Sequence, residues 1–210
     1  MSTQLYIISP EKIDLPKFKV DLKNALEDGH VAVFQLRLKN ISDEEIIKAG
    51  KELLPICHEY GVQFILNDQS DLAMRIGADG VHIGEEQDGT VEQARKILGK
   101  RKIIGVSCYG SVDRAMDMAE AGADYVAFGA FYPTTTKEPK ARPDAEILTW
   151  WVTNSEIPCV AIGGIKAENC SPLVKAGADF IAVVSAIWNH SKGSKEAVKE
   201  LSLAIGSSKN

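Results

Sequence analysis

The chain has 210 residues, 29 acidic against 24 basic side chains for a formal charge of −5, with 45% hydrophobic and 25% charged residues. That is the size of one domain with a sizeable core and the balance of an ordinary globular protein. The acidic excess argues against a nucleic-acid or anionic-membrane surface, so any phosphate recognition must come from a local cluster of cations. Met1–Gln4 lacks a basic leader, and no stretch approaches the roughly 20 apolar residues of a membrane span. Cys57, Cys108, Cys159 and Cys170 show neither paired metal spacing nor disulfide density, which suits a reducing cytoplasm.

In chain order, Leu5–Ile8 reads as a strand closed by Ser9-Pro10, followed by a helix from Lys17 to Glu27 that stops at Gly29. Val31–Leu36 is the second strand, and alternation places Gln35, Arg37 and Lys39 on one side, either holding a ligand or lying along a solvated face. Ser42–Glu45 is a capping box for a helix to about Tyr60, and Val62–Leu66 is a third strand delivering Asn67 and Asp68. A short helix reaches Gly77, and Ala78–Ile83 gives strand four and the connection Gly84–Gly89. Thr90–Gln93 opens another capped helix, and Lys102–Val106 is strand five, emptying into Ser107-Cys108-Tyr109.

A helix over Ser111–Ala121 leads to strand six, Tyr125–Phe128, and to a polar, proline-rich connection carrying Thr134, Thr135, Thr136 and Lys137, with Lys140 and Arg142 nearby. Hydroxyls beside cations form charge-assisted bonds to phosphate. Asp144–Asn154 is a helix, Cys159–Ile162 strand seven ending in Gly163-Gly164, 166–176 a helix, and Phe180–Val184 strand eight giving Ser185. A last helix covers Lys195–Ile205 before a polar tail, 206–210.

Ile76-Gly-Ala-Asp79, Ala121-Gly-Ala-Asp124 and Ala176-Gly-Ala-Asp179 repeat one junction, a helix stop followed at once by a strand. Eight apolar strands alternating with helices predict an α/β fold, a single (β/α)₈ barrel over 1–210. No dinucleotide-binding glycine fingerprint opens an early helix. In such a barrel the site lies where the strands end, and the polar residues above gather there. Glycines after strand seven with Ser185 after strand eight match the phosphate site common to these barrels. Asp68 is placed to hold Mg²⁺ against a substrate phosphate. Two anion-binding regions around one mouth suggest two small phosphorylated substrates.

The motifs Gln35-Leu-Arg-Leu-Lys39, Asn67-Asp68, Gly80-Val-His-Ile-Gly84, Gly105-Val-Ser107, Pro133-Thr-Thr-Thr-Lys137, Ile162-Gly-Gly-Ile165 and Val183-Val-Ser-Ala-Ile187 together resemble thiamine phosphate synthase. The resemblance implies condensation of a pyrimidine diphosphate with a thiazole phosphate, by dissociative loss of pyrophosphate. It implies that Gln35, Arg37, Lys39, Asn67, Ser107 and Lys137 bind the pyrimidine diphosphate, with Arg37 and Lys137 stabilising the leaving group. Thr134, Thr136, Gly164, Val184 and Ser185 match the thiazole-phosphate contacts. The family's second Mg²⁺ aspartate falls at Gln87, so the second ligand is either Asp88, brought in by a one-residue insertion, or the Gln87 amide. Cys108-Tyr109 stands where many members carry a histidine.

His82, Cys108, Cys159 and the three tryptophans are read as packing residues. A thiazole tautomerase shares the fold and phosphate site but has no use for the diphosphate machinery, and a non-catalytic thiazole-phosphate sensor is the other alternative. A homodimer stays open.

Overall fold

The computed structural model describes residues 2–85, 89–134 and 140–208. The elements run β1 (Gln4–Ile8), α1 (Leu15–Leu26), β2 (Val31–Leu36), α2 (Asp43–Glu59), β3 (Gln63–Asn67), α3 (Ser70–Ile76), β4 (Gly80–Ile83), α4 (Val91–Leu98) and β5 (Ile103–Tyr109). They continue through α5 (Val112–Glu120), β6 (Tyr125–Phe128), α6 (Glu146–Asn154), β7 (Cys159–Ile162), α7 (Ser171–Lys175), β8 (Phe180–Val183), α8 (Ser185–Trp188) and α9 (Ser194–Ser207). Each strand pairs in parallel with its neighbours in sequence, and β8 returns to β1 to close an eight-stranded barrel. The fold is a (β/α)₈ barrel, as the alternation of elements predicts.

Period-two alternation divides the strand residues between two cores. Leu5, Ile7, Phe34, Leu36, Phe64 and Leu66 face outward and are buried beneath the helices. Tyr6, Ile8, Val33, Ile65, Tyr125 and Val160 fill the interior of the ring. Gly105 makes room for Tyr125: a β-carbon there would lie 1.9 Å from its ring.

The repeated Gly-Ala-Asp junctions have a common geometry at the amino-terminal end of the barrel. Asp79 donates its amide to the Phe64 carbonyl (2.9 Å), and its carboxylate accepts the Phe64 amide (2.8 Å). Asp124 does the same to Ile104 (2.7 and 2.7 Å), and Asp179 to Cys159 (3.1 and 2.9 Å). One residue thus clamps both backbone groups of the first or second residue of the preceding strand. The glycine two positions earlier lets the helix stop in time, with φ of 85°, 96° and 99° at Gly77, Gly122 and Gly177.

Both capping boxes form. Several boundaries differ from the sequence reading. The helix expected over 166–176 is confined to α7, because the Asn169 side chain accepts the Lys166 amide (2.7 Å) and folds the first residues into a turn. β5 continues through Cys108 and Tyr109, and the chain after β8 forms the unexpected α8. α9 extends through Gly206 and Ser207, shortening the polar tail. Trp151 packs on Phe128 and Trp188 on Phe18, as expected, whereas Trp150 is 43% exposed.

Candidate active site

The carboxyl ends of the strands open into a cavity of about 230 Å³. On one side the chain leaving β2 stays extended beside the exit of β1: the Arg37 amide donates to Ser9 Oγ (2.8 Å) and the Lys39 amide to the Glu11 carbonyl (3.1 Å). Alternation therefore persists past the strand end, and Gln35, Arg37 and Lys39 all line the cavity. Gln35 is 3% exposed and lies on no solvated face, while the Arg37 and Lys39 side chains are 15% and 38% exposed. Arg37 pairs with Glu11 (2.6 Å) and Lys39 with Asp68 (2.5 Å).

The next wall carries Asn67 and Asp68. Asp68 is nearly buried and left-handed, with φ of 68°. Aspartate is among the few side chains that tolerate this region. Its backbone amide donates to the His82 carbonyl (2.7 Å), and its carboxylate accepts from the Gly84 amide (3.1 Å), Asn67 and Lys39. Among the described residues no three His, Cys, Asp or Glu side chains gather as a metal cluster. Gln87 and Asp88, the two alternatives for a second ligand, lie outside the described residues.

β5 contributes Ser107 and, at its end, Tyr109, whose hydroxyl donates to the Gly84 carbonyl (2.7 Å). Lys140 lies 4.9 Å from the Tyr109 ring and pairs with Glu85 (2.9 Å), a bond that holds its ammonium group above the ordinary value. Arg114 donates to the Ser107 carbonyl (3.0 Å). Position 109 is therefore the mouth of the cavity, where an aromatic ring links the β4 exit to the connection after β6.

The opposite side is formed by Thr134, Gly163, Gly164, Val184 and Ser185. Gly164 has φ of 65°, and a β-carbon on it would come within 2.4 Å of the Pro133 carbonyl oxygen. Its own carbonyl accepts from Asn169 (3.1 Å), which is tied to Tyr132 (2.7 Å). The cup is thus packed directly against the chain leaving β6. Thr136 and Lys137 lie outside the described residues.

The floor was not legible in the sequence. Tyr6, Tyr125 and His82 line it, joined in a continuous hydrogen-bonded chain to Gln35 and Ser107. His82 is buried, as a packing residue would be, but both ring nitrogens are engaged within the site. The two tyrosines read as apolar strand positions; the overlooked signal is that a phenol pointing into a barrel requires a polar partner. Burial pushes both phenols well above their ordinary range.

The arrangement is suited to two anions flanking a flat polar ring, with cations on one wall and a glycine and hydroxyl cup on the other. Residues 5–187 match the family model described as thiamine monophosphate synthase. This chain belongs to that family. The thiamine-phosphate synthase of Rhodospirillum centenum is 51% identical over 94% of this chain and 95% of its own length. That of Erythrobacter litoralis is 48% identical over 89% of each. Among solved structures, thiamine phosphate pyrophosphorylase from Pyrococcus furiosus superposes with a TM-score of 0.84 at 32% identity, covering 99% of this chain and 97% of that one. The activity is that of a thiamine-phosphate synthase, a transferase. Burial raises the Cys108 thiol to about 12, so it is no thiolate. No described helix is long and apolar enough to cross a membrane.

Proposed function

We propose that this chain joins 4-amino-2-methyl-5-hydroxymethylpyrimidine diphosphate to hydroxyethylthiazole phosphate, releasing pyrophosphate, and that it does so by dissociation. The observation that carries the reading is the division of one cavity into two unlike anion walls: Arg37, Lys39 and Asp68 on one side, Gly164, Val184 and Ser185 on the other. Gln35, Asn67 and Ser107 hold the pyrimidine, while Arg37, Lys39 and Lys137 take the diphosphate. Thr134, Thr136 and the glycine–serine cup take the thiazole phosphate.

The pyrimidine's exocyclic C–O bond breaks first, and its electron pair leaves with pyrophosphate. The resonance-stabilised methylene cation is then trapped by the thiazole nitrogen lone pair, which forms the new C–N bond. The protein supplies positioning and charge, not a covalent partner. Arg37 and Lys39 are held beforehand by Glu11 and Asp68, and the incoming phosphates exchange for those carboxylates.

The Asp68 carboxylate at the cavity wall offers hard oxygen ligands of the kind Mg²⁺ takes, together with substrate phosphates and water. Asp68 would hold the ion, with Asp88 as the favoured second ligand, since a full charge serves a diphosphate-bound cation better than the Gln87 amide. Bound there, Mg²⁺ would neutralise charge on the leaving pyrophosphate.

The test is an assay of the purified chain with both substrates and Mg²⁺, reading pyrophosphate and thiamine phosphate together. Equimolar release of the two, lost on chelation, is expected. Isomerised thiazole phosphate without pyrophosphate would indicate the tautomerase, and binding without turnover the sensor.

A further inference from the structure

Among the described residues, Arg37, Lys39 and Lys140 are the cations that line the cavity, and each is paired with a carboxylate: Glu11 at 2.6 Å, Asp68 at 2.5 Å and Glu85 at 2.9 Å. Lys140 belongs to the chain that follows β6, yet its ammonium group reaches the other side of the mouth. Its Nζ lies 4.9 Å from the centre of the Tyr109 ring and donates to Tyr109 Oη (3.4 Å). Tyr109 donates in turn to the Gly84 carbonyl (2.7 Å), and the Gly84 amide donates to Asp68 (3.1 Å), the partner of Lys39. A short run of contacts thus joins Lys140 to the wall assigned to the diphosphate, whereas Gly164, Val184 and Ser185 follow β7 and β8.

Backbone contacts fix the base from which this side chain reaches. The Ala130 amide donates to the Ala141 carbonyl (3.1 Å), and Gly110 comes so near that a β-carbon on it would lie 3.1 Å from that of Ala141. The Tyr109 ring then offers the ammonium group an aromatic face. A half-exposed pair such as Lys140 and Glu85 contributes little to stability, so the placement calls for another role. Charge supplies one. Among the described side chains lining the cavity, Arg37 and Lys39 are offset by Asp68 and Glu85, and Lys140 alone leaves a positive excess to attract a polyanion. Lysine is also a point charge on a flexible stem, able to pass from a carboxylate to a phosphate oxygen without rebuilding the wall.

We propose that Lys140 is a further diphosphate-binding residue, which leaves Glu85 for the outer phosphate of the pyrimidine diphosphate and stays with pyrophosphate as it departs. The inference rests on the reading of this cavity as the pyrimidine-diphosphate site. Gln35 and Ser107 hold the ring deep in the barrel, and Lys140, with its side chain 48% exposed, stands at the mouth, so the phosphate it meets is the one farther from the ring. Glu85 then serves Lys140 as Glu11 serves Arg37, holding the cation in place until the substrate displaces the carboxylate.

The test uses Lys140→Met, which keeps most of the stem and removes the charge, beside Glu85→Gln, which breaks the same ion pair from the other end. Two quantities are read with Mg²⁺ present: the calorimetric Kd of inorganic pyrophosphate, and the KM of each substrate. Lys140→Met is expected to raise the pyrophosphate Kd and the KM for pyrimidine diphosphate at least about fivefold, the scale of a lost hydrogen bond to a charged group, with the KM for thiazole phosphate within about twofold of wild type. Glu85→Gln is expected to leave the pyrophosphate Kd at or below wild type, because no carboxylate then competes for the ammonium group. A smaller effect of Lys140→Met, an equal rise for thiazole phosphate, or the same weakening in both variants would reduce the pair to a surface bridge and overturn the inference. If wild type binds pyrophosphate but makes no thiamine phosphate, the functional reading fails, and the pyrophosphate titrations still decide the role of Lys140.

Discussion

A β-carbon on Gly164 would sit 2.4 Å from the Pro133 carbonyl oxygen and 2.8 Å from that of Tyr132, on a backbone with φ of 65°. Gly164→Val should therefore cost more than about 1 kcal/mol of stability and displace the chain leaving β6, raising the KM of both substrates. Ser185→Ala is the cleaner probe of the phosphate cup, because it removes a hydroxyl and adds nothing. It should raise the KM for thiazole phosphate about tenfold or more, the scale of a hydrogen bond to a charged group, and leave that for the pyrimidine diphosphate near wild type. Equal rises in steady-state titrations would mean that the two anions share one wall. At this scale the sequence showed polar residues at strand ends, where alternation puts Gln35, Arg37 and Lys39 on one side. It did not show Tyr6 or Tyr125, because an inward tyrosine on a strand has the same hydrophobic signature as a leucine. Only the ring closure of the barrel brings residues 119 positions apart into contact.

Among the elements, the aspartate clamps join each of β4, β6 and β8 to the strand before it, at the end of the barrel away from the cavity. Asp179→Ala leaves the Cys159 amide without its acceptor in a buried setting, and urea unfolding should register a loss of about 1–3 kcal/mol. Asp179→Asn keeps an acceptor and should recover part of it. Neither variant should alter kcat, and a fall in kcat would show that the two ends of the barrel are coupled. The Gly-Ala-Asp repeat was visible in the sequence as a helix stop, but its carboxylate had no role until the strand register was known. The brief α7 and α8 were illegible for a different reason. An Asx turn at Asn169 and a single helical turn after β8 leave too few residues for periodicity to register.

For the molecule as a whole, buried acids of high pKa set an alkaline limit. Burial pushes Cys108 and Cys159 up to about 12, and it raises Cys57, Tyr6 and Tyr125 in the same sense. An unfolded thiol ionises near 9.0. Between that pH and about 12 the unfolded chain binds fewer protons than the folded one, so stability is full below the window and declines as pH rises through it. The urea midpoint should therefore fall steadily from pH 9 to 12, and carbamidomethylation of all four cysteines should await unfolding. A flat midpoint across that range would mean that the thiols ionise within the fold. The barrel itself was readable from the alternation of eight apolar runs with helices, because each parallel strand is covered on both faces and so lacks a polar side.

The clamps also bear on how such a chain can change over evolutionary time. Their partners lie only 15, 20 and 20 residues apart, so each clamped segment is a self-contained stretch of chain. The connections that follow β4 and β6, which include Asp88 and Lys137, fall between the clamped segments and interrupt none of them. Lengthening such a connection leaves every clamp in place and adds only loop-closure entropy, about 0.6 kcal/mol for each doubling. A one-residue insertion at Glu85-Glu86-Gln87, one of the two alternatives the resemblance leaves open, would therefore be nearly neutral for the barrel.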